Sequence, residues 1–177
     1  MKNSTQRICL VAVGIALFVA LSLCLQVPVF ENYYLCLGYT VLAVYCWSFG
    51  TVDGVLVGSL GVVLYCLLTN GLRGMPGWAL GNVVIAVILG WTFRGTKKLK
   101  AGPAAAIHAA MIVLASALGI LIVKSAVESL LYAQWMAVRI GKNLYAFIAD
   151  AVMLLVSLPV CRLLDGRVRK WFPLLVG

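Results

Sequence analysis

Six apolar runs occupy most of this chain, at about 8–27, 33–49, 53–70, 76–94, 103–123 and 143–164. A helix needs roughly 20 residues to cross a ~30 Å hydrocarbon core. The runs have that scale, although the second and third are somewhat short. The links at 28–32, 50–52 and 71–75 are also short, which favours antiparallel neighbours. The expected fold is all-α: an integral membrane bundle of six transmembrane helices, forming one domain over residues 1–177. No soluble domain and no low-complexity linker interrupts the pattern.

Composition agrees with this expectation. The chain is 64% hydrophobic and 11% charged, against about half and about a quarter in a soluble domain. The net charge of +9 invites a nucleic-acid reading, but its distribution argues otherwise. With a cytoplasmic N-terminus, Lys2, Arg7, Arg94, Lys97, Lys98, Lys100, Arg162, Arg167, Arg169 and Lys170 lie inside, and only Arg73, Lys124, Arg139 and Lys142 lie outside. That is a positive-inside bias with both termini cytoplasmic. The segments FRGTKKLK and DGRVRKW carry most of the excess and face anionic membrane lipid rather than nucleic acid. The first run is long for a signal peptide and reads as an uncleaved span.

The chain offers little for catalysis. It has no GxxxxGK[ST], HExxH or GxSxG motif, so neither ATP use nor hydrolytic chemistry is encoded in a recognisable form. The six cysteines (Cys9, Cys24, Cys36, Cys46, Cys66 and Cys161) form no CxxC pair and read as small buried hydrophobes. His108, the only histidine, falls near the inner start of the fifth run and reads as structural or interfacial. Asp150 alone lies clearly within a span, with Asp53 at the edge of another. Neither a metal nor a cofactor is expected, and the chain is not expected to be an enzyme.

Small residues point to close helix packing. Gly50, Gly54 and Gly58 recur at spacing four, followed by Gly61, and Gly77 and Gly81 repeat the pattern. Ala12, Ala16 and Ala20 share one face of the first helix, a smooth surface on which another helix can dock.

The outer surface gathers Glu31, Asn32, Tyr33, Tyr34, Asn70, Arg73, Trp78 and the segment 124–142, the longest external connection. Within and beyond that segment, Glu128, Tyr132, Trp135, Arg139, Asn143 and Asp150 follow helical spacing and would share a face, with Gly141 a candidate interruption. Asn82 and Asp150 fall at similar depth, roughly 6–10 Å below the outer surface at 1.5 Å per residue. They fit an outward-facing polar cavity, in which Lys124, Arg139 or Lys142 would partner Asp150. Trp78 and Trp135 suit either apolar walls of a ligand site or an interfacial belt. Asn82 and Asn143 suit either ligand contact or helix–helix hydrogen bonds.

The sequence resembles the substrate-binding S components of energy-coupling factor (ECF) transporters. The resemblance rests on ALFVA (16–20), similar to the family's AxxxA motif, and on GYTVLAVYCWSFGTVDGVLVGSLGVVLYCLL (38–68), similar to its helix–glycine turn–helix pattern. PGWALGNVVIAVILG (76–90) is similar to the fourth helix of vitamin-specific members. The resemblance implies capture of a vitamin or related micronutrient at the outer face of a prokaryotic plasma membrane. It implies as partners a coupling (T) subunit and two ATPase subunits, with the S component tipping in the membrane to release its ligand inward. It assigns docking to Ala16 and Ala20, with Ala12 one turn away, and a cap over the site to about 27–34. The substrate-contact candidates read from the residues are Trp78, Asn82, Trp135, Arg139, Asn143 and Asp150. Two other function classes stay open: a non-transport scaffold of an envelope complex, and a membrane enzyme using Asp150 and His108.

Overall fold

The computed structural model describes residues 2–24, 26–30, 33–69 and 71–172. Glu31, Asn32 and Asn70 lie outside the described residues, as do the side chains of Tyr33 and Tyr34. The first helix, α1 (Lys2–Cys24), buries Val11, Gly14, Phe18, Val19 and Ser22. These recur every three or four residues and so form one face. The other face exposes Ala12, Ala16 and Ala20, with Val13 and Leu17 beside them.

The second run does not form a full span. A short hairpin precedes its helix: β1 (Gln26–Phe30) pairs antiparallel with β2 (Tyr33–Cys36), Pro28 opposite Tyr34. Valines and aromatics favour this extended form, and proline is tolerated because both strands of a two-stranded sheet are edges. Only then does α2 (Gly38–Ser48) begin. Its 11 residues span about 16 Å, half of a ~30 Å apolar core. It packs against α1, α7 (Met136–Trp171), α3 (Thr51–Leu68) and α4 (Met75–Gly95), and Tyr39, Leu42 and Ala43 are fully buried. Gly50 separates α2 from α3 at φ 98°, ψ −174°, a conformation essentially restricted to glycine. Near this inner end, the Arg7 guanidinium donates from Nε to Asp53 Oδ1 at 2.8 Å, tying α1 to the first turn of α3.

The fifth run extends further than its hydropathy suggests. Helix α5 (Ala101–Ser116) passes into a π-helical segment (Ala117–Lys124) and then α6 (Ser125–Tyr132) without a break. The chain reverses at Ala133, which adopts a left-handed conformation with φ 48°, and α7 starts at Met136. The expected long connection at 124–142 is therefore replaced by residues 133–135, and Gly141 lies inside α7 without interrupting it. The result is six helical rods among the described residues, of which five are long and apolar enough to cross a membrane: Thr5–Cys24, Thr51–Leu68, Met75–Gly95, Ala101–Tyr132 and Met136–Val168. The sixth rod, α2, reaches its outer side through the hairpin. Cys36, Cys46, Cys66 and Cys161 are buried, but Cys9 and Cys24 are exposed on α1, contrary to expectation. They occupy its outward face, which no other part of the chain covers.

Two glycines meet where α4 crosses the π-helical segment. A Cβ added at Gly81 would stand 2.7 Å from the Gly119 carbonyl oxygen, and one at Gly119 would stand 2.7 Å from the Gly81 carbonyl oxygen. Backbone meets backbone there, so no side chain can move aside. Gly81→Leu is expected to destabilise the bundle by about 1–3 kcal/mol, the usual scale of overpacking. Gly141→Ala, with nothing within 4 Å of the added carbon, should leave stability unchanged or raise it by up to ~1 kcal/mol. Thermal unfolding of the two variants in detergent tests the contrast, and equal midpoints would contradict this crossing.

Candidate functional site

The end of the bundle that carries the hairpin and residues 133–135, outer by the charge bias, contains a cavity of about 630 Å³. Ser22 at the end of α1, Leu35 and Cys36 of β2, and Tyr65 and Thr69 at the end of α3 form one side. Gly71, Trp78 of α4, Lys124 closing the π-helical segment, and Ala146 and Asp150 of α7 form the other. The wall is mixed. Tyr65 and Trp78 meet edge to face, with ring centroids 5.6 Å apart, and offer aromatic surface. Ser22 Oγ donates to the Phe18 carbonyl at 2.6 Å and lies 3.0 Å from Cys36 Sγ, joining α1 to the hairpin.

Beneath this wall, the Tyr39 hydroxyl links three helices. It accepts from Trp78 Nε1 at 2.9 Å and donates to Asn82 Oδ1 at 2.9 Å. Asn82 Nδ2 in turn donates to the Gly58 carbonyl at 3.0 Å, which extends the chain of bonds from α2 and α4 to α3. The Asp150 side chain also reaches the Tyr39 hydroxyl and lies within electrostatic range of Lys124. Tyr39 and Asn82 are fully buried, and Asp150 is 5% exposed. A buried carboxylate needs a nearby cation to stay tolerable, and Lys124 on the same cavity wall is placed to supply it.

The π-helical segment helps explain why Lys124 points here. One extra residue per turn shifts the register of side chains relative to an α-helix. Gly119 can then face Gly81 while Lys124 lines the cavity. Of the three cations considered for Asp150, only Lys124 shares its cavity. Lys142 is exposed, and Arg139 pairs elsewhere.

The residues expected to share one helical face instead meet across the tight reversal. Asn143 Nδ2 donates to Ser125 Oγ at 3.0 Å and to Glu128 Oε2 at 3.0 Å. Arg139 lies 3.8 Å from the same Glu128 oxygen, and its guanidinium sits 4.0 Å over the Tyr132 ring. This cluster clamps α6 against α7. Trp135 precedes the first turn of α7, is 85% exposed, and lies off the cavity wall. Thus Trp78 and Asp150 line the cavity, Asn82 supports it through Tyr39, and Arg139 and Asn143 fasten the helices beside it.

Tyr39, Tyr65 and Thr69 were missed by sequence reasoning, although the depth argument used for Asn82 applies equally to Tyr39, a polar tip inside the second run. Among the described residues, no group of three or more His, Cys, Asp or Glu side chains could hold a metal ion.

A family model described as ECF-type riboflavin transporter, S component, matches residues 2–163. No curated protein matches the chain. The match covers nearly all of the bundle, from α1 to the inner part of α7 and including every residue on the cavity wall, and the chain belongs to the ECF-type riboflavin transporter S component family.

Proposed function

We propose that this membrane-embedded substrate-binding subunit captures riboflavin, or a close flavin relative, in the outer cavity. The observation that carries this reading is the pairing of aromatic wall with buried charge in one 630 Å³ space. Small-molecule sites are usually ~300–1,000 Å³, mostly apolar, with a few placed polar groups. A flavin has a flat fused ring and a chain of hydroxyls. Trp78 and Tyr65 suit the ring, whereas Asp150, Lys124 and Thr69 suit hydroxyls and ring heteroatoms. The family's name supports the vitamin assignment. It also favours transport over the scaffold and enzyme readings.

Delivery inward then needs a partner, because a bundle with an outer cavity does not itself move a ligand. We assign that role to the coupling subunit with its two ATPases, docking on the face of α1 that carries Ala12, Ala16 and Ala20. All three alanines are exposed, and Ala12 lies on the wall of a shallow apolar groove between α1 and α3. A flat alanine face permits close helix approach. The working location is the plasma membrane of a prokaryote.

Two tests separate capture from delivery. Quenching of flavin fluorescence on titration with purified protein reports binding. Asp150→Asn removes a charged hydrogen-bonding group of the ~1.5–3 kcal/mol class, so affinity should fall about 10- to 100-fold, whereas Trp135→Phe should leave it unchanged. Wild-type affinity in Asp150→Asn would contradict the site. In whole cells, replacing Ala16 and Ala20 together with Trp should abolish vitamin uptake while flavin binding by the purified protein persists. Undiminished uptake would contradict the docking face.

A further inference from the structure

Four cations lie toward the outer side of the bundle: Arg73, Lys124, Arg139 and Lys142. Of these, Lys124 lines the outer cavity. Arg139 is held 3.8 Å from Glu128 Oε2 and over the Tyr132 ring. Arg73 and Lys142 are exposed and lie off the wall. Among the described residues, the wall thus carries one cation, Lys124, and one carboxylate, Asp150. The two lie within electrostatic range of each other, so the charge of the site is balanced before any ligand enters. A second cavity, about 380 Å³, lies at the opposite, inner end of the bundle, and Lys97 and Arg162 line it together with Asp165. Basic charge is plentiful in this chain, yet the outer site receives a single lysine.

That balance governs which ligands the space can hold. Lys124 is half-buried, whereas Asp150 is buried and reaches the Tyr39 hydroxyl beneath the wall. The lysine is the group an anion would seek, and the carboxylate cancels it from within the protein. Charges interact strongly over short distances in such a low-dielectric surround. Asp150 therefore needs no direct contact with the ligand to exert this effect.

A flavin alcohol and its phosphate ester differ in this respect. The alcohol is neutral, and the ester carries about two negative charges at neutral pH. Inside the cavity those charges would meet a cation already matched by a carboxylate. Like charges brought together, and buried charges without partners, weigh heavily against binding. We propose that Asp150 determines the ligand charge this site accepts: paired with Lys124, it admits neutral flavins and excludes their phosphate esters. The role rests on the vitamin reading above and extends it, because it assigns to one side chain the choice between two ligands that share the same ring.

Flavin fluorescence quenching by the purified full chain in neutral detergent tests this with three probes. They are riboflavin, its phosphate ester and its acetate ester, the last adding bulk at the same terminal ribityl oxygen without charge. Wild-type protein should bind the phosphate ester roughly 100-fold more weakly than riboflavin, and the acetate ester within roughly tenfold of it. Asp150→Asn leaves Lys124 without its counter-charge, so the phosphate ester should then bind at least as tightly as riboflavin. A general loss of packing would weaken all three probes together, whereas a reversed order requires a change in charge. Equal affinity of the wild type for riboflavin and its phosphate ester would overturn the role of Asp150. Equal exclusion of the phosphate and acetate esters, the mark of a size limit, would overturn it too, as would an unchanged preference in Asp150→Asn. The two wild-type comparisons hold even if that variant fails to fold. Failure of every probe to bind the wild type would instead contradict the vitamin reading, and this role with it.

Discussion

The Tyr39 hydroxyl is the constraint on which the outer half of this bundle depends. It is fully buried on a helix of 11 residues, where an unpaired hydroxyl costs several kcal/mol in hydrocarbon. Trp78 and Asn82 satisfy it from α4, and Asp150 reaches it from α7. Those contacts set both the depth and the rotation of α2. Because α2 stops about halfway across, no helix fills the space above it. The hairpin continues the chain there, and the cavity occupies what remains. The site thus follows from a helix too short for its membrane, held at its outer tip by hydrogen bonds.

Packing elsewhere makes that shortfall sustainable. Hydrophobic burial gives little drive for helices to associate within lipid, so close backbone approach and internal hydrogen bonds carry much of the load. Gly54 faces Cys46, Gly58 faces Leu42, Gly61 faces Phe18, and Gly81 faces Gly119. These contacts hold α1 and α2 tightly to α3, and α4 to the π-helical segment. At the reversal between α6 and α7, the Asn143–Glu128 hydrogen bond and the Arg139–Glu128 ion pair hold the helices where close glycine packing does so elsewhere. The two polar cavities lie at opposite ends of this packed middle, with fully buried Leu42, Ile85, Leu89 and Leu154 in the core between.

Much of this was legible in the sequence because lipid imposes simple rules. Run length identified the five long rods, and their orientation rests on the charge bias alone. Asp150 stood out because a lone carboxylate in an apolar run needs a polar site. The residues 124–142 show where such rules end. Helical spacing from Glu128 to Asn143 is compatible with one helix on a surface or with two helices meeting at a sharp turn, and only the left-handed Ala133 distinguishes them. The same ambiguity put Trp135 with Trp78, although one is exposed and the other lines the cavity. Asn82 was singled out by its depth, but depth does not tell whether an amide faces a ligand or a tyrosine. Residues 28–32 read as a short link after the first apolar run, and so the hairpin of Gln26–Phe30 with Tyr33–Cys36 went unseen. The π-helical segment has no local signature, since it arises where Gly81 and Gly119 must meet.

The central claim is that the space left above α2 is where the vitamin is held. A structure of the protein with riboflavin bound tests it most directly. The account predicts the flavin ring against Trp78 and Tyr65, with its polar groups toward Asp150 and Lys124 and the Tyr39 hydrogen bonds intact beneath it. A flavin located in the inner cavity or in the groove between α1 and α3, with the space above Tyr39 empty, would contradict it.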